Sequence, residues 1–169
     1  VTVIAEGMLK FDFPNSCEAS KYDNWSFYRN QFQAVANGSK AVDIVCVEHN
    51  ISWLIEIKDY RQHPRTKAIN IADEIVVKVR DTLAGLAAAA TNANNVEERR
   101  RARRALASRE WRVVLHLEQP AMPQRLRRNP IDPATILQKL RSKNLKAIDA
   151  HPLICCRNTP RHQIPWTVR

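Results

Sequence analysis

Three residues between positions 41 and 61 are of types that could do chemistry together: Asp43, Glu56 and Lys58. They stand in AVDIVCVEHNISWLIEIKDYR, which reads as two strands joined by a tight turn at His49-Asn50. Side chains alternate faces along a strand, so Glu56 and Lys58 share one face while Ile55 and Ile57 share the other. Both acids lie in apolar runs (Val42, Ile44 and Val45; Trp53, Leu54, Ile55 and Ile57), the pattern of strands buried on both faces. An ionised group there is costly unless it is paired or bound to a cation. The residues alone leave two readings open. The acids hold a cation, or Glu56 and Lys58 satisfy each other as an ion pair with Asp43 at the strand entrance.

Asp43, twelve intervening residues and then Glu56-Ile57-Lys58 resembles the motif of the PD-(D/E)xK nuclease superfamily, with Val42 where the family name has Pro. The resemblance implies an α/β, restriction-endonuclease-like fold: an αβββαβ core with a mixed central sheet flanked by helices. It implies a metal-dependent nuclease hydrolysing phosphodiester bonds of nucleic acid, DNA before RNA. In those roles Asp43 and Glu56 are metal ligands and catalytic residues, the Ile57 carbonyl is a third ligand, and Glu18, from a helix ahead of the strands, is a fourth. Hard oxygen ligands suit Mg2+ or Mn2+, and such a cation lowers the pKa of its bound water. Lys58, the third catalytic residue, orients that water or neutralises the phosphate. Glu18 has a plainer reading as the partner of Asn15 in a capping box, and Glu6 is a weaker substitute. Asp59, Tyr60, Arg61 and Gln62 follow the motif where substrate could be met. The alternatives are a catalytically inactive nuclease-like nucleic-acid-binding protein, or a structural subunit of a larger complex that grips an acidic partner.

The elements that must position these residues follow from pattern. Residues 2–13 alternate loosely and read as a strand or extended arm ending at Pro14. Residues 16–23 read as a short helix capped by Asn15. Residues 25–35, rich in aromatics, read as a strand, and Asn37-Gly38 as a hairpin turn. Strands at 41–47 and 51–58 complete a three-stranded meander. Apolar residues at 69, 72, 76, 79, 83 and 86 predict a long helix over 67–90, with Lys78 on it able to reach the site in some orientations. A second helix covers 96–108, with Glu97 and Glu98 at its start. A strand over 111–117, a helix from 132 or 133, and a short strand over 153–156 follow. One domain is expected over 1–158, its core at 15–118 and additions at 119–158, with a tail over 159–169 that is poorly ordered unless Trp166 anchors it.

Composition bounds the partners. The chain has 169 residues, 44% of them hydrophobic, and a formal net charge of +10. Residues 1–58 carry 5 Lys/Arg against 7 Asp/Glu; the rest carries 22 against 10. The acidic motif therefore sits in the less basic part, and the remainder can supply a phosphate-binding surface. Arg61, Arg99, Arg100, Arg101, Arg103, Arg104, Arg125, Arg127 and Arg128 are the candidate nucleic-acid contacts. A solvated helix face is the plainer account of the run at 99–104. Trp25, Trp53 and Trp111 fit a core better than a base-stacking platform, and His49, His63 and His116 take no role. Four cysteines make no disulfide framework, which favours a reducing cytoplasm. His151, Cys155, Cys156 and His162 lack the C-x2-C spacing of a zinc site. No apolar run reaches the roughly 18 residues that span a bilayer, so no membrane partner is expected. Cutting both strands of a duplex needs two sites, which a homodimer would supply.

Overall fold

The computed structural model describes residues 1–120, 131–142, 145–160 and 162–169. At its centre are β4 (Ile44–Glu48) and β5 (Ile51–Asp59), antiparallel, with Glu48 opposite Ile51 across the two-residue turn. His49 takes a left-handed φ of 53° there. On the far side of β4 lies β3 (Cys17–Lys21), antiparallel; on the far side of β5 lies β6 (Glu110–Glu118), parallel, and then β7 (Leu153–Cys155), also parallel. The result is a mixed five-stranded sheet. Parallel pairing needs long crossovers. The one from β5 to β6 carries α2 (Ile71–Asn92) and α3 (Val96–Leu106); the one from β6 to β7 carries α4 (Pro133–Ser142). A second, three-stranded antiparallel sheet is made of β1 (Thr2–Glu6), β2 (Leu9–Phe13) and β8 (Thr167–Val168), in the order β1-β2-β8. The protein is thus α/β.

Strand alternation divides the core in two. Val45, Val47, Leu54, Val113, Leu115 and Leu117 face the helices. Ile44, Cys46, Trp53, Ile55, Ile57 and Val114 face the small sheet. The five-stranded sheet is therefore covered on both sides, which is why β4, β5 and β6 read as nearly continuous apolar runs. Asp43, Glu56 and Lys58 have the helix-facing parity.

The long helices match their signals. Asn70 caps α2 by accepting from the Ala72 N–H at 2.9 Å, and Asn95 caps α3 by accepting from Glu97 and Glu98, as short polar side chains do at helix starts.

The first third of the chain differs from expectation. Residues 2–13 are a hairpin turning at Gly7, φ +56°, a conformation glycine adopts without strain. The expected helix at 16–23 is instead strand β3, with a single 3-10 turn at Tyr22–Asn24. The local capping signal lost to pairing with β4, which buries Cys17 and Ala19. The expected strand at 25–35 is instead α1 (Ser26–Asn30) followed by 3-10 turns. The Ser26 and Phe27 N–H groups donate to the Glu98 carboxylate of α3 at 2.7 and 3.0 Å, a cap delivered from a distant segment. Asn37-Gly38 does turn the chain, with φ of 64° and 126°, but no hairpin follows. The meander exists as β3-β4-β5, with a different first strand. The chain end is anchored: Trp166 is buried against Phe13 and Trp53, both at 5.4 Å between ring centroids.

Candidate functional site

Asp43 lies one residue before β4, its backbone N–H still donating to Ile55 O at 3.1 Å. Where β4 has not yet begun, its side chain replaces a backbone partner: Oδ2 accepts from the Ile57 N–H at 2.6 Å. Glu56 is buried beside it. Its Oε1 accepts from Lys58 at 2.8 Å and from Lys78 of α2 at 2.6 Å, while Oε2 is buried with no hydrogen-bond partner among the described residues. Lys78 also lies 3.9 Å from Asp43 Oδ1. One helical turn before Lys78, Glu74 receives Lys58 and Lys67 on Oε1 and Arg65 on Oε2, each at 2.9 Å. Residues four apart share a helix face, so α2 lays Glu74 and Lys78 onto the two ends of the β5 pair.

The network alternates charge: Asp43, Lys78, Glu56, Lys58, Glu74, then Arg65 and Lys67. Burial, reinforced by the Glu56 charge, pushes the Asp43 carboxyl up to about 7. Burial works against the Lys58 ammonium, but the Glu56 and Glu74 carboxylates outweigh it and raise its pKa. Lys58 is therefore a fixed cation and not a proton acceptor. Burial likewise disfavours the Glu74 anion, and the bonds from Lys67, Lys58 and Arg65 overcome it, holding the carboxyl well below the usual range.

Asp43, Glu56, Ile57 and Lys58 are thus brought together, and Lys78 joins them. Glu74, Arg65 and Lys67 went unread; the spacing of Glu74 and Lys78 was the available signal. Glu18 is not on a helix, correcting the expectation that a helix would carry it to the acids. It lies on β3 opposite Val47, which is four residues from Asp43, so Glu18 is displaced from Asp43 by about 13 Å along the strand direction at 3.3 Å per residue. Its carboxylate goes to α3: Arg100 at 2.5 Å, Arg104 at 2.7 Å and Arg101 at 3.5 Å. Among the described residues no group of three or more His, Cys, Asp and Glu is placed to hold a metal ion.

The other predicted cations separate. Arg61 is spent in a bidentate pair with Asp59, at 2.8 and 2.6 Å. Arg103 donates to Ala90 O at the end of α2, 2.7 Å, while Arg99 is half-buried on α3. Arg125, Arg127 and Arg128 lie outside the described residues. His151 and His162 line different clefts, so the cysteine–histidine cluster does not assemble. On the small-sheet side, His116 meets Glu118 at 3.1 Å and Cys155 at 3.4 Å. Burial lowers the His116 pKa against the pull of Glu118, and burial pushes the Cys155 thiol up to about 12. That thiol is not an activated nucleophile.

No family model and no solved structure matches the chain. Across 99% of its length it is similar to a cysteine–tRNA ligase of Neisseria meningitidis serogroup A / serotype 4A (strain DSM 15465 / Z2491), with 33% identity over 207 aligned positions. The chain spans 30% of that relative's length. This similarity overturns the nuclease reading. A short acidic motif occurs often by chance, whereas the match runs through nearly every residue and leads to a ligase. The hydrolase activity falls with it, and the DNA substrate and the homodimer, argued from cutting two strands, are left without support. No helix among the described residues is long and apolar enough to cross a membrane.

Proposed function

We propose that this chain is an RNA-binding part of a protein related to cysteine–tRNA ligases, and that tRNA lies against the arginine face of α3. The observation that carries the reading is the crowding of Arg100, Arg101 and Arg104 onto one side of that helix, in a chain of net charge +10 that matches a ligase named for its tRNA. Nucleic-acid affinity rests first on cations set against phosphates. The relative's name gives it the joining of cysteine to tRNA. A chain covering 30% of it is assigned a share in holding the tRNA, within an enzyme whose joining chemistry is completed by the rest. Its four free thiols favour a reducing compartment such as the cytoplasm.

Fluorescence anisotropy with a labelled tRNA tests this. Binding should weaken steeply with salt. Arg100→Ala/Arg104→Ala should weaken it further and lower the salt slope by about 0.7–0.9 for each phosphate that is no longer neutralised. A chain that ignores tRNA at low salt, or prefers duplex DNA to it, overturns the proposal.

A restriction-endonuclease-like scaffold remains our reading of the finer fold, without cleavage attached. It is supported by the β3-β4-β5 meander, the α2 crossover and parallel β6, with Asp43, Glu56 and Lys58 on the helix side. Mg2+ or Mn2+ at this place is a second reading, favoured by the buried, unpartnered Glu56 Oε2. Asp43, Glu56 and the Ile57 carbonyl would hold the cation, whose charge would offset the repulsion between the two acids. Lys58 and Lys78 already compete for Glu56. Mg2+ should raise the melting temperature of the wild type and not of Asp43→Asn; equal shifts exclude this site.

A further inference from the structure

Glu18 receives more positive charge than it can answer. Its Oε1 faces Arg100 at 2.5 Å and Arg101 Nε at 3.5 Å, and Oε2 faces Arg104 at 2.7 Å. The carboxylate carries one negative charge, and Glu97 adds a second, paired with Arg100 at 2.9 Å. Arg101 Nε is buried and, at its 3.5 Å from Oε1, has no hydrogen-bond partner among the described residues. A buried guanidinium N–H left without an acceptor is unusual.

The three guanidiniums belong to one helix face, and the carboxylate to another element, the outer strand β3. The Glu18 side chain is 17% exposed, whereas Arg100 and Arg104 are 48% and 49% exposed. The arginines thus stay open to solvent on the side away from β3. Their donors can leave the carboxylate without the fold changing, because α3 is held separately. Its Ala102 and Ala105 are buried, and the Ser52 hydroxyl donates to Ala105 O at 2.9 Å.

We propose that Glu18 occupies the place of a backbone phosphate on the Arg100–Arg101–Arg104 face, and that RNA binds there by displacing it. This rests on the reading of α3 as the tRNA-binding helix and deepens it. A phosphodiester carries the same single negative charge as Glu18, so the exchange leaves the local charge balance unchanged. Its tetrahedral oxygens present acceptors outside the carboxylate plane, where Arg101 Nε can be served. Arginine forks are suited to such oxygens. Glu18 then acts as a gate: it keeps the arginine face paired in the free protein and weakens adventitious anion binding.

The test is tRNA binding by the full chain, its Glu18→Gln variant, and both in the Arg100→Ala/Arg104→Ala background. Glutamine keeps the shape and removes the charge, and Glu18→Ala serves as a second variant with thermal melting to confirm folding. Releasing exposed ion pairs of ordinary strength should tighten tRNA binding about three- to tenfold. The gain should vanish when the two arginines are absent, which separates a gate from a general change in net charge. Equal or weaker binding by Glu18→Gln, with the wild type binding tRNA, overturns the gate and leaves the RNA reading standing. A gain of the same size without the arginines also overturns it. If neither form binds tRNA, both the gate and the RNA reading are wrong.

Discussion

Lys78 of α2 donates to Glu56 Oε1 of β5 at 2.6 Å, and the two side chains are 17% and 1% exposed. The bond ties the long helix to the central strand through a carboxylate whose other oxygen has no hydrogen-bond partner among the described residues. Removing one member of a buried pair strands the other charge, so Lys78→Met should destabilise the fold. The cost should fall toward the lower end of the roughly 3–5 kcal/mol typical of such deletions, because Lys58 still reaches Glu56. Adding Glu56→Gln to Lys78→Met should recover part of the loss. Urea unfolding of the two single variants and the double variant measures this; strictly additive losses would show that the pair is not coupled.

Asp43 and Glu74 should pull stability in opposite directions with pH. Burial, then the Glu56 charge, lifts the Asp43 carboxyl from 3.8 to about 7, so between those values the folded state holds a proton that the unfolded chain releases. Its contribution is full below about pH 4 and is lost as pH rises through 7, by at most about 4 kcal/mol at 1.36 kcal/mol per unit. Glu74 behaves in the reverse sense. Burial opposes its ionisation, but Lys67, Lys58 and Arg65 depress its pKa, so its contribution is present above its unfolded value of 4.5 and lost on acidification. Asp43→Asn keeps an acceptor for the Ile57 N–H and removes the titrating charge. In EDTA, that variant should gain most over the wild type above pH 7 and little at pH 4. A gain independent of pH would refute the assignment.

What could be read from the chain depended on how local the cause was. The β4–β5 hairpin was legible because two apolar runs flank a two-residue turn, and it alone brings Asp43 to Glu56. α2 was legible from its three- and four-residue spacing, but where Lys78 and Glu74 land depends on how the helix lies across the sheet. Residues 16–35 were not legible, because distant partners override their local signals. Pairing with β4 beat the capping box at Asn15, and the Glu98 carboxylate capped a helix where aromatic content favoured a strand. Glu18 moved from the acids to the arginines with that change of element. The motif itself was present, but Asp, Glu and Lys on adjacent strands are satisfied equally by an ion network or a reacting site. Similarity along 99% of the chain, and not the three-residue motif, discriminates between those two.

The Glu98 cap gives a sharp test of that long-range control. Its two oxygens take the Ser26 and Phe27 N–H groups, and Glu98 is itself buried against α1. Glu98→Ala leaves two helix-start donors unsatisfied and should cost about 1–3 kcal/mol, beyond the ordinary value of a surface Glu. Glu98→Gln keeps one acceptor oxygen and should cost less. Hydrogen exchange of the Ser26 and Phe27 amides should quicken in both variants. Unchanged exchange there would mean that α1 is held by Phe27 and Tyr28 packing alone.

Gly85, in the middle of α2, packs directly against the Tyr22 hydroxyl. A Cβ added at Gly85 would collide with the Tyr22 hydroxyl oxygen and sit 3.1 Å from the Phe32 ring. Tyr22 is fully buried and packed on Trp25 and Tyr28, so its ring cannot swing aside. The helix preference of alanine is therefore outweighed, and Gly85→Ala should lose about 1–3 kcal/mol through overpacking. The Tyr22 hydroxyl has no hydrogen-bond partner among the described residues. Removing it in Tyr22→Phe relieves an unsatisfied buried group and should be neutral or stabilising by about 1 kcal/mol. In the double variant the obstructing oxygen is gone, and alanine should recover most of its loss, leaving the close approach to Phe32 as the residual cost. Thermal melting of the four proteins closes the cycle. If Gly85→Ala costs the same with Phe as with Tyr at position 22, the collision with the hydroxyl is not what reserves this position for glycine.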